Sequence, residues 1–164
     1  MESVVVRGVS IERNQAKVTI DDVPDRPGVA AKIFSAIRDA NIVIDMIVQN
    51  VSWDGETDIS FTCSAAELPK AEAELNKILP GLGGNVKLRT QSGVAKLSIV
   101  GIGMRSHSGV AAKMFGALAD HGRRAVGAAI TSVTPNVAGG TGLDVDITAW
   151  VAAHAGQLGS LAID

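Results

Sequence analysis

The sequence lacks several features that mark common functional classes. Its only cysteine is Cys63, which excludes an intramolecular disulfide and a cysteine-rich zinc site. No Lys/Arg cluster is longer than Arg123-Arg124 and the net charge is −2, so nothing indicates binding to nucleic acid or to an anionic membrane. There is no secretory leader and no run of about 18 apolar residues, and these absences predict a cytoplasmic protein outside the membrane.

Motifs for nucleotides and metals are also missing. The segment GIGMRSHSG, residues 101–109, follows a predicted strand, but Ser106 stands where the dinucleotide fingerprint needs glycine. No glycine-rich loop ends in Gly-Lys-Ser/Thr, the signature of a phosphate-binding loop. The histidines are widely separated and show no metal-ligand spacing; they are His107, His121 and His154. We therefore expect no bound nucleotide or metal, and we identify no catalytic residue.

A repeat is the most conspicuous feature that the sequence does contain. GVAAKIFSAIRD, residues 28–39, recurs as GVAAKMFGALAD, residues 109–120, with eight of the twelve positions identical. The pattern around the first copy predicts β-α-β-β-α-β, an α+β fold of the ferredoxin-like type. The predicted elements are strands 16–23, 41–52, 57–63 and 85–90, a helix after Pro27 and a helix over about 66–79. The pattern restarts near residues 91–93, which predicts a tandem second copy.

The loop after the first strand is a candidate binding site. Pro27 suits the first turn of a helix, and Asp25 is expected to cap that helix. The outward amides and the dipole of a helix start can hold a small anion. A free amino acid offers a carboxylate to such amides and an ammonium to a nearby carboxylate. A role in capping and turn formation alone also explains the aspartates here, which are Asp21, Asp22 and Asp25.

Two segments resemble the regulatory ACT domains of bacterial aspartokinases. AKVTIDDVPDRPGVAAKIFSAIRDANIVIDMIVQNVSWDGETDISFTCS, residues 16–64, is similar to the first of these domains. GVAKLSIVGIGMRSHSGVAAKMFGALADHG, residues 93–122, is similar to the start of the second. The motifs PDRPGVAAKIF, IDMIVQNVS and TDISFT carry the resemblance.

The resemblance implies a regulatory chain that contains no kinase domain. ACT domains of this family bind threonine, lysine or both, and restrain the kinase that phosphorylates aspartate in lysine, threonine and methionine biosynthesis. The chain looks like a β subunit, which uses no cofactor and pairs with a catalytic α subunit through an ACT-mediated dimer. The alternative is a truncated ACT module that associates with a kinase subunit without binding an effector.

The resemblance also implies which residues bind the effector. They lie on the loop and helix start, on the next strand and on its neighbour, and they are Asp25, Gly28, Val29, Ala30, Gln49, Asn50, Ser52 and Ser60. Without the resemblance, Gln49 and Asn50 would be interpreted as the polar end of a strand. No catalytic residue and no metal ligand is implied.

The resemblance stops near residue 122. Ser108 replaces a proline of the family, and RRAVGAAITSVTPNV stands where the family has INIEMISTSEIRISV. The family's Asn-Ile pair, which closes the effector pocket, corresponds to about Arg124 and Ala125. In the rest of the chain only Leu143 to Ala152 has the pattern of a strand.

We therefore expect two domains of unequal completeness. The first covers residues 1–91, including an N-terminal strand. The second covers residues 92–164 and is incomplete or altered, because its tail, residues 123–164, diverges from the family. One explanation is a reading-frame shift after codon 122, which translation of the other frames would test.

Overall fold

The structure, a computed structural model, describes residues 5–51, 54–102, 109–120, 125–135 and 143–152. The chain divides into two units, Asn14–Ser92 and a second unit made of Met1–Arg13 with Gly93–Asp164. Several residues named above lie outside the described ranges: Ser52, Ser106, Ser108, Arg124 and the three histidines.

The unit Asn14–Ser92 has the predicted β-α-β-β-α-β order, so the expected ferredoxin-like fold is confirmed. Its strands are ordered β2-β3-β1-β4, and β3 pairs antiparallel with both β1 and β2. The elements are β1 (Val5–Pro24), α1 (Val29–Asp39), β2 (Ile44–Val51), β3 (Glu56–Ser64), α2 (Leu68–Ile78), a 3₁₀ turn (Leu79–Gly81) and β4 (Lys87–Ile102).

The core of this unit follows from the two periodicities of its sequence. Alternate residues of β1 and β3 point to one face of the sheet, and residues three or four apart on α1 and α2 face that sheet. Phe61 is fully buried, and its ring meets that of Phe34 edge-on, with 6.0 Å between the centroids. The buried core includes Val18, Ile20, Ile33, Ile37, Ile59, Phe61, Ala71 and Leu75.

The second unit repeats the strand order of the first, with the start of β1 in the place that β4 has in the first unit. Its elements are the second half of β4, then α3 (Val110–Asp120), β5 (Ala125–Pro135) and β6 (Leu143–Ala152). β6 pairs antiparallel with β4 and with β5. The start of β1 belongs to this unit and neighbours β4, and Glu12 forms an ion pair with Lys96 at 2.8 Å. The order β5-β6-β4-β1 therefore matches β2-β3-β1-β4.

Three features differ from the sequence-based expectation. Met1–Arg13 groups with the second unit, whereas we expected it in the first domain. β4 continues through the expected boundary, and Gly93 adopts a positive φ of 66° within it, which glycine accommodates without strain. β5 is a strand that the sequence analysis did not identify. Its sequence, AVGAAITSVTP, combines five β-branched residues, which favour strands, with a first half rich in alanine, which does not, and the strand is completed by pairing with β6.

None of the helices in the described residues is long and apolar enough to cross a membrane.

We expect Phe61→Ala to destabilise the chain strongly, because it removes a fully buried ring from the core. The free energy of unfolding should fall by about 3–5 kcal/mol. The matched control is Val43→Ala, since Val43 is 76% exposed and should change it by less than about 0.5 kcal/mol. Urea denaturation of the two variants measures the difference, and similar losses would contradict this core.

Candidate functional site

A cavity of about 310 Å³ lies at the loop between β1 and α1. The loop itself, the first two residues of α1 and three residues of the neighbouring strands form its walls. Gln49 comes from β2, and Thr57 and Ile59 come from β3. The other lining residues are Val23, Pro24, Asp25, Arg26, Pro27, Gly28, Val29 and Ala30.

The loop is shaped by backbone hydrogen bonds rather than by a side-chain cap. The amide of Asp25 donates to the carbonyl of Gly55 at 2.8 Å, and the amide of Arg26 donates to the carbonyl of Pro24 at 2.9 Å. Gly28 is the N-cap of α1, with a φ of 91° and no side-chain cap bond. The expectation that Asp25 caps the helix is therefore wrong. Gly28 adopts this left-handed backbone without strain, so the N-cap lies three residues after Asp25.

A β-bulge in β1 brings this loop to its place. Ile20 pairs with Ile59 and Val23 pairs with Thr57, so an extra residue of β1 is accommodated between them. Asp22 lies in the bulge with a φ of 56°. Its amide donates to Asp58 Oδ1 at 3.2 Å, and its carboxylate accepts from Lys87 Nζ at 2.8 Å. These contacts connect the end of β1 to both of its neighbouring strands.

A second ion pair between β1 and β4 lies next to this one. Arg89 donates through two nitrogens to the carboxylate of Asp21, whose side chain is 11% exposed. Burial, and then the positive charge of Arg89, lower the pKa of the neighbouring Lys17, while Asp21 opposes that shift. A bidentate guanidinium–carboxylate pair of this kind fixes geometry as well as charge. The pair supports the sheet behind the cavity and does not line it.

The cavity combines both signs of charge with an apolar wall. Asp25 supplies a carboxylate, and Arg26 supplies a guanidinium whose Nη2 donates to the carbonyl of Leu82 at 3.0 Å. In the first turn of α1 the amide of Val29 donates to the carbonyl of Arg26 at 3.2 Å, and the two amides after it have no partner within the helix. Val23, Val29 and Ile59 are buried and form the apolar part, and Gln49 adds an exposed amide. Such a set suits a small zwitterion with a short side chain.

Five of the eight predicted site residues line the cavity: Asp25, Gly28, Val29, Ala30 and Gln49. Asn50 and Ser60 do not line it, because successive residues of a strand point to opposite faces. The carbonyl of Asn50 accepts a hydrogen bond from Thr57 Oγ1, and the side chain of Asn50 is exposed. Ser60 Oγ lies 3.0 Å from Thr19 Oγ1 on the face away from the core.

The sequence analysis did not identify Arg26, Thr57 or Ile59 as site residues. Arg26 lies inside the PDRPG motif, so its position beside Asp25 was available as a signal. Thr57 and Ile59 reach the cavity through strand register, because Ile59 pairs with Gln49 and Thr57 pairs with Val51. The pair Asp54-Gly55, which forms the turn between β2 and β3, is a hairpin signal that could have indicated this register.

Among the residues that line the cavity, none is a nucleophile paired with a base. In the part of the chain that the structure describes, no group of His, Cys, Asp and Glu side chains could hold a metal ion.

Comparison with known proteins defines the class first. The ACT domain profile matches residues 16–80, and a second ACT domain profile matches residues 97–125. These matches fall on the two copies that the sequence repeat predicts. The fold and the profiles together define an ACT-domain protein with two copies of the domain.

The relatives then define the family. The regulatory subunit of aspartate kinase from Thermus thermophilus, in its ligand-free form, is 34% identical, with a TM-score of 0.71 over 91% of this chain and 90% of that one. The structure of aspartokinase alpha and beta subunits gives 34% identity and a TM-score of 0.67, over 90% of this chain and 88% of that one. The chain belongs to the aspartate kinase family, as a regulatory ACT subunit.

The curated relatives are longer enzymes. The aspartate kinase of Pseudomonas fluorescens strain SBW25 is 49% identical over 119 residues, which are 73% of this chain. The aspartate kinase of Pseudomonas putida is 47% identical over the same length. The chain spans 29% of the length of each of these relatives. The resemblance inferred from the sequence motifs is thus confirmed.

We expect the single cysteine to be chemically inert in the folded chain. Cys63 is 1% exposed, and burial, with a smaller contribution from the charge of Glu67, raises the pKa of its thiol to about 11. At pH 8 only about one thiol in a thousand is then ionised, against about a quarter in an unfolded chain. Iodoacetamide labelling followed by mass spectrometry should be at least about 100-fold slower in the native chain than in concentrated urea. Equal rates would show that Cys63 is accessible.

Proposed function

We propose that this chain binds an amino-acid effector in the cavity at the β1–α1 loop and thereby regulates aspartate kinase. The effector is threonine, lysine or both, and the response is feedback inhibition in lysine, threonine and methionine biosynthesis in the cytoplasm. One observation carries the proposal: Asp25, Arg26 and the start of α1 line the same cavity. Membership of the aspartate kinase family supplies the context.

The charges of the cavity set the orientation of such a ligand. The ligand carboxylate is placed at the guanidinium of Arg26 and the first-turn amides of α1, where the helix dipole also favours negative charge. The ligand ammonium is placed at the carboxylate of Asp25. The side chain then faces the buried surfaces of Val23 and Ile59, with Gln49 within the same wall.

The groups that line the cavity also favour threonine over lysine. Asp25 is the one carboxylate among the residues that line the cavity, and the α-ammonium of the ligand uses it. The second ammonium of lysine would then lie against Arg26 or an apolar wall without a partner, which costs free energy. The methyl and hydroxyl groups of threonine instead match Ile59 and Gln49.

Regulation requires that the effector binds one state of the assembly more tightly than the other. In this proposal the chain acts on a catalytic α subunit, within an ACT-mediated dimer. The similarity to aspartokinase alpha and beta subunits, which were solved together, supports such a partner. Ile47, an apolar side chain of the first unit that is 51% exposed, supports burial against another chain. β2, which carries Ile47, lies at one end of this unit's strand order.

A second candidate is an interaction module that joins a kinase subunit without sensing an amino acid. The end of the second ACT match at residue 125 favours it, because the sequence beyond that point differs from the family. Copurification with a kinase subunit, without any effect of threonine or lysine on its activity, would support this function over the first.

We expect titration calorimetry of the full chain to show binding of threonine, and weaker binding of lysine. Asp25→Asn keeps the shape of the side chain and removes the charge that pairs with the ligand ammonium. It should therefore weaken threonine binding by about 1.5–3 kcal/mol, the usual contribution of a hydrogen bond to a charged group. Folded protein that gives no heat with either amino acid would remove the binding claim.

Gln49→Ala should weaken threonine binding by about 0.5–1.5 kcal/mol, because one hydrogen bond to the ligand is lost. Asn50→Ala is the matched control, since Asn50 is also exposed on β2 but does not line the cavity. It should leave the affinity unchanged. An effect of Asn50→Ala with none from Gln49→Ala would place the ligand outside this cavity.

A further inference from the structure

A turn that follows α2 lies directly against the loop of the cavity. We call it the glycine turn, residues Leu82 to Gly84. Gly83 and Gly84 have φ values of 80° and 77°, so both adopt the left-handed backbone that glycine favours. The carbonyl of Leu82 accepts the hydrogen bond from Arg26 Nη2 at 3.0 Å. The turn thus touches a residue that lines the cavity.

The closest approach is at Gly84. A Cβ atom at this position would lie 3.3 Å from Cγ of Pro24 and 3.6 Å from the carbonyl oxygen of Asp22. At Gly83 a Cβ atom would meet only the end of the flexible Arg26 side chain, at 3.5 Å, which is ordinary van der Waals contact. The two neighbouring glycines therefore share a backbone conformation and differ in what they touch.

The glycine turn cannot easily yield to such a contact. Leu82 is 6% exposed and belongs to the core cluster of the first unit. Its amide donates to the carbonyl of Leu79, also 6% exposed, at 3.1 Å. Moving the turn would pull buried side chains from the core, which is closely packed.

Pro24 is therefore the group that must move. Its ring fixes φ and is bonded to the backbone at both ends, so the ring carbons can move away only by a change of ring pucker or together with the backbone. Pro24 lines the cavity, and its carbonyl accepts from the amide of Arg26 at 2.9 Å. A displacement of Pro24 by a few tenths of an ångström thus also shifts Asp25 and Arg26, the two charged groups of the site.

We propose that Gly84 is a positioning residue for the cavity: the absence of a side chain at position 84 lets the glycine turn set the place of Pro24 and of the loop after it. The role in ligand affinity rests on the proposed amino-acid binding. The effect on the loop itself does not, because it concerns the chain without ligand.

The experiment compares Gly84→Ala with Gly83→Ala in the full chain. Both variants place alanine at nearly the same positive φ, so both melting temperatures should fall, and that of Gly84→Ala should fall further because of the added contact with Pro24. Threonine affinity, measured by calorimetry, should fall roughly three- to tenfold for Gly84→Ala, about the loss of one hydrogen bond. For Gly83→Ala it should stay within about twofold of the original chain.

Hydrogen exchange by NMR without ligand separates this proposal from the proposed function. The amide of Asp25 donates to the carbonyl of Gly55, and its exchange rate should rise in Gly84→Ala and stay unchanged in Gly83→Ala. Each rate is corrected for the global stability of its variant. Equal exchange and affinity changes in the two variants would overturn the role of Gly84. If the original chain binds neither threonine nor lysine, the proposed function fails, and the exchange comparison still decides the role of Gly84.

A second variant, Pro24→Ala, tests the contact between position 84 and Pro24. Pro24→Ala removes the ring carbons that a Cβ atom at position 84 would meet. In this background Gly84→Ala should no longer accelerate exchange at Asp25. Undiminished acceleration would show that Gly84 acts by another route, and would contradict the proposal.

Discussion

Antiparallel pairing of β1 with β3 is the constraint on which the rest of the first unit depends. It places Val18 opposite Phe61 and Ile20 opposite Ile59, so one face of both strands packs against α1 and α2. Burial of these side chains supplies the main driving force for folding. The same pairing, resumed after the bulge at Val23, holds the loop after β1 beside Thr57. Core and cavity thus arise from one register.

Much of the first unit could be predicted, because its signals are local. Alternation in β1 and β3, the apolar stripe of α1 and the Asp-Gly turn each specify one element. The N-cap could not be assigned in this way, because aspartate and glycine are both common at N-caps and the helix begins after Gly28. Thr57 and Ile59 were missed for a related reason, because strand pairing brings them to the cavity.

The repeat has a structural meaning that the sequence alone did not disclose. Both units use the same strand order, but the fourth place in the second unit is taken by the start of β1, far away in the chain. A local pattern cannot report such an exchange. β5 was missed for a different reason: alanine and glycine in its first half mask the β-branched residues of its second half, and its pairing with β6 is not visible in a local pattern. The second α1-like helix, α3, was predicted because it repeats α1.

The central claim is that a zwitterionic amino acid occupies the cavity between the loop at Asp25 and Gln49. A crystal structure of the full chain grown with both threonine and lysine tests it most directly. We expect density for threonine in the cavity, with its carboxylate at Arg26 and the start of α1 and its ammonium at Asp25. A well-ordered cavity that holds only solvent, or an amino acid bound at another place, would contradict it.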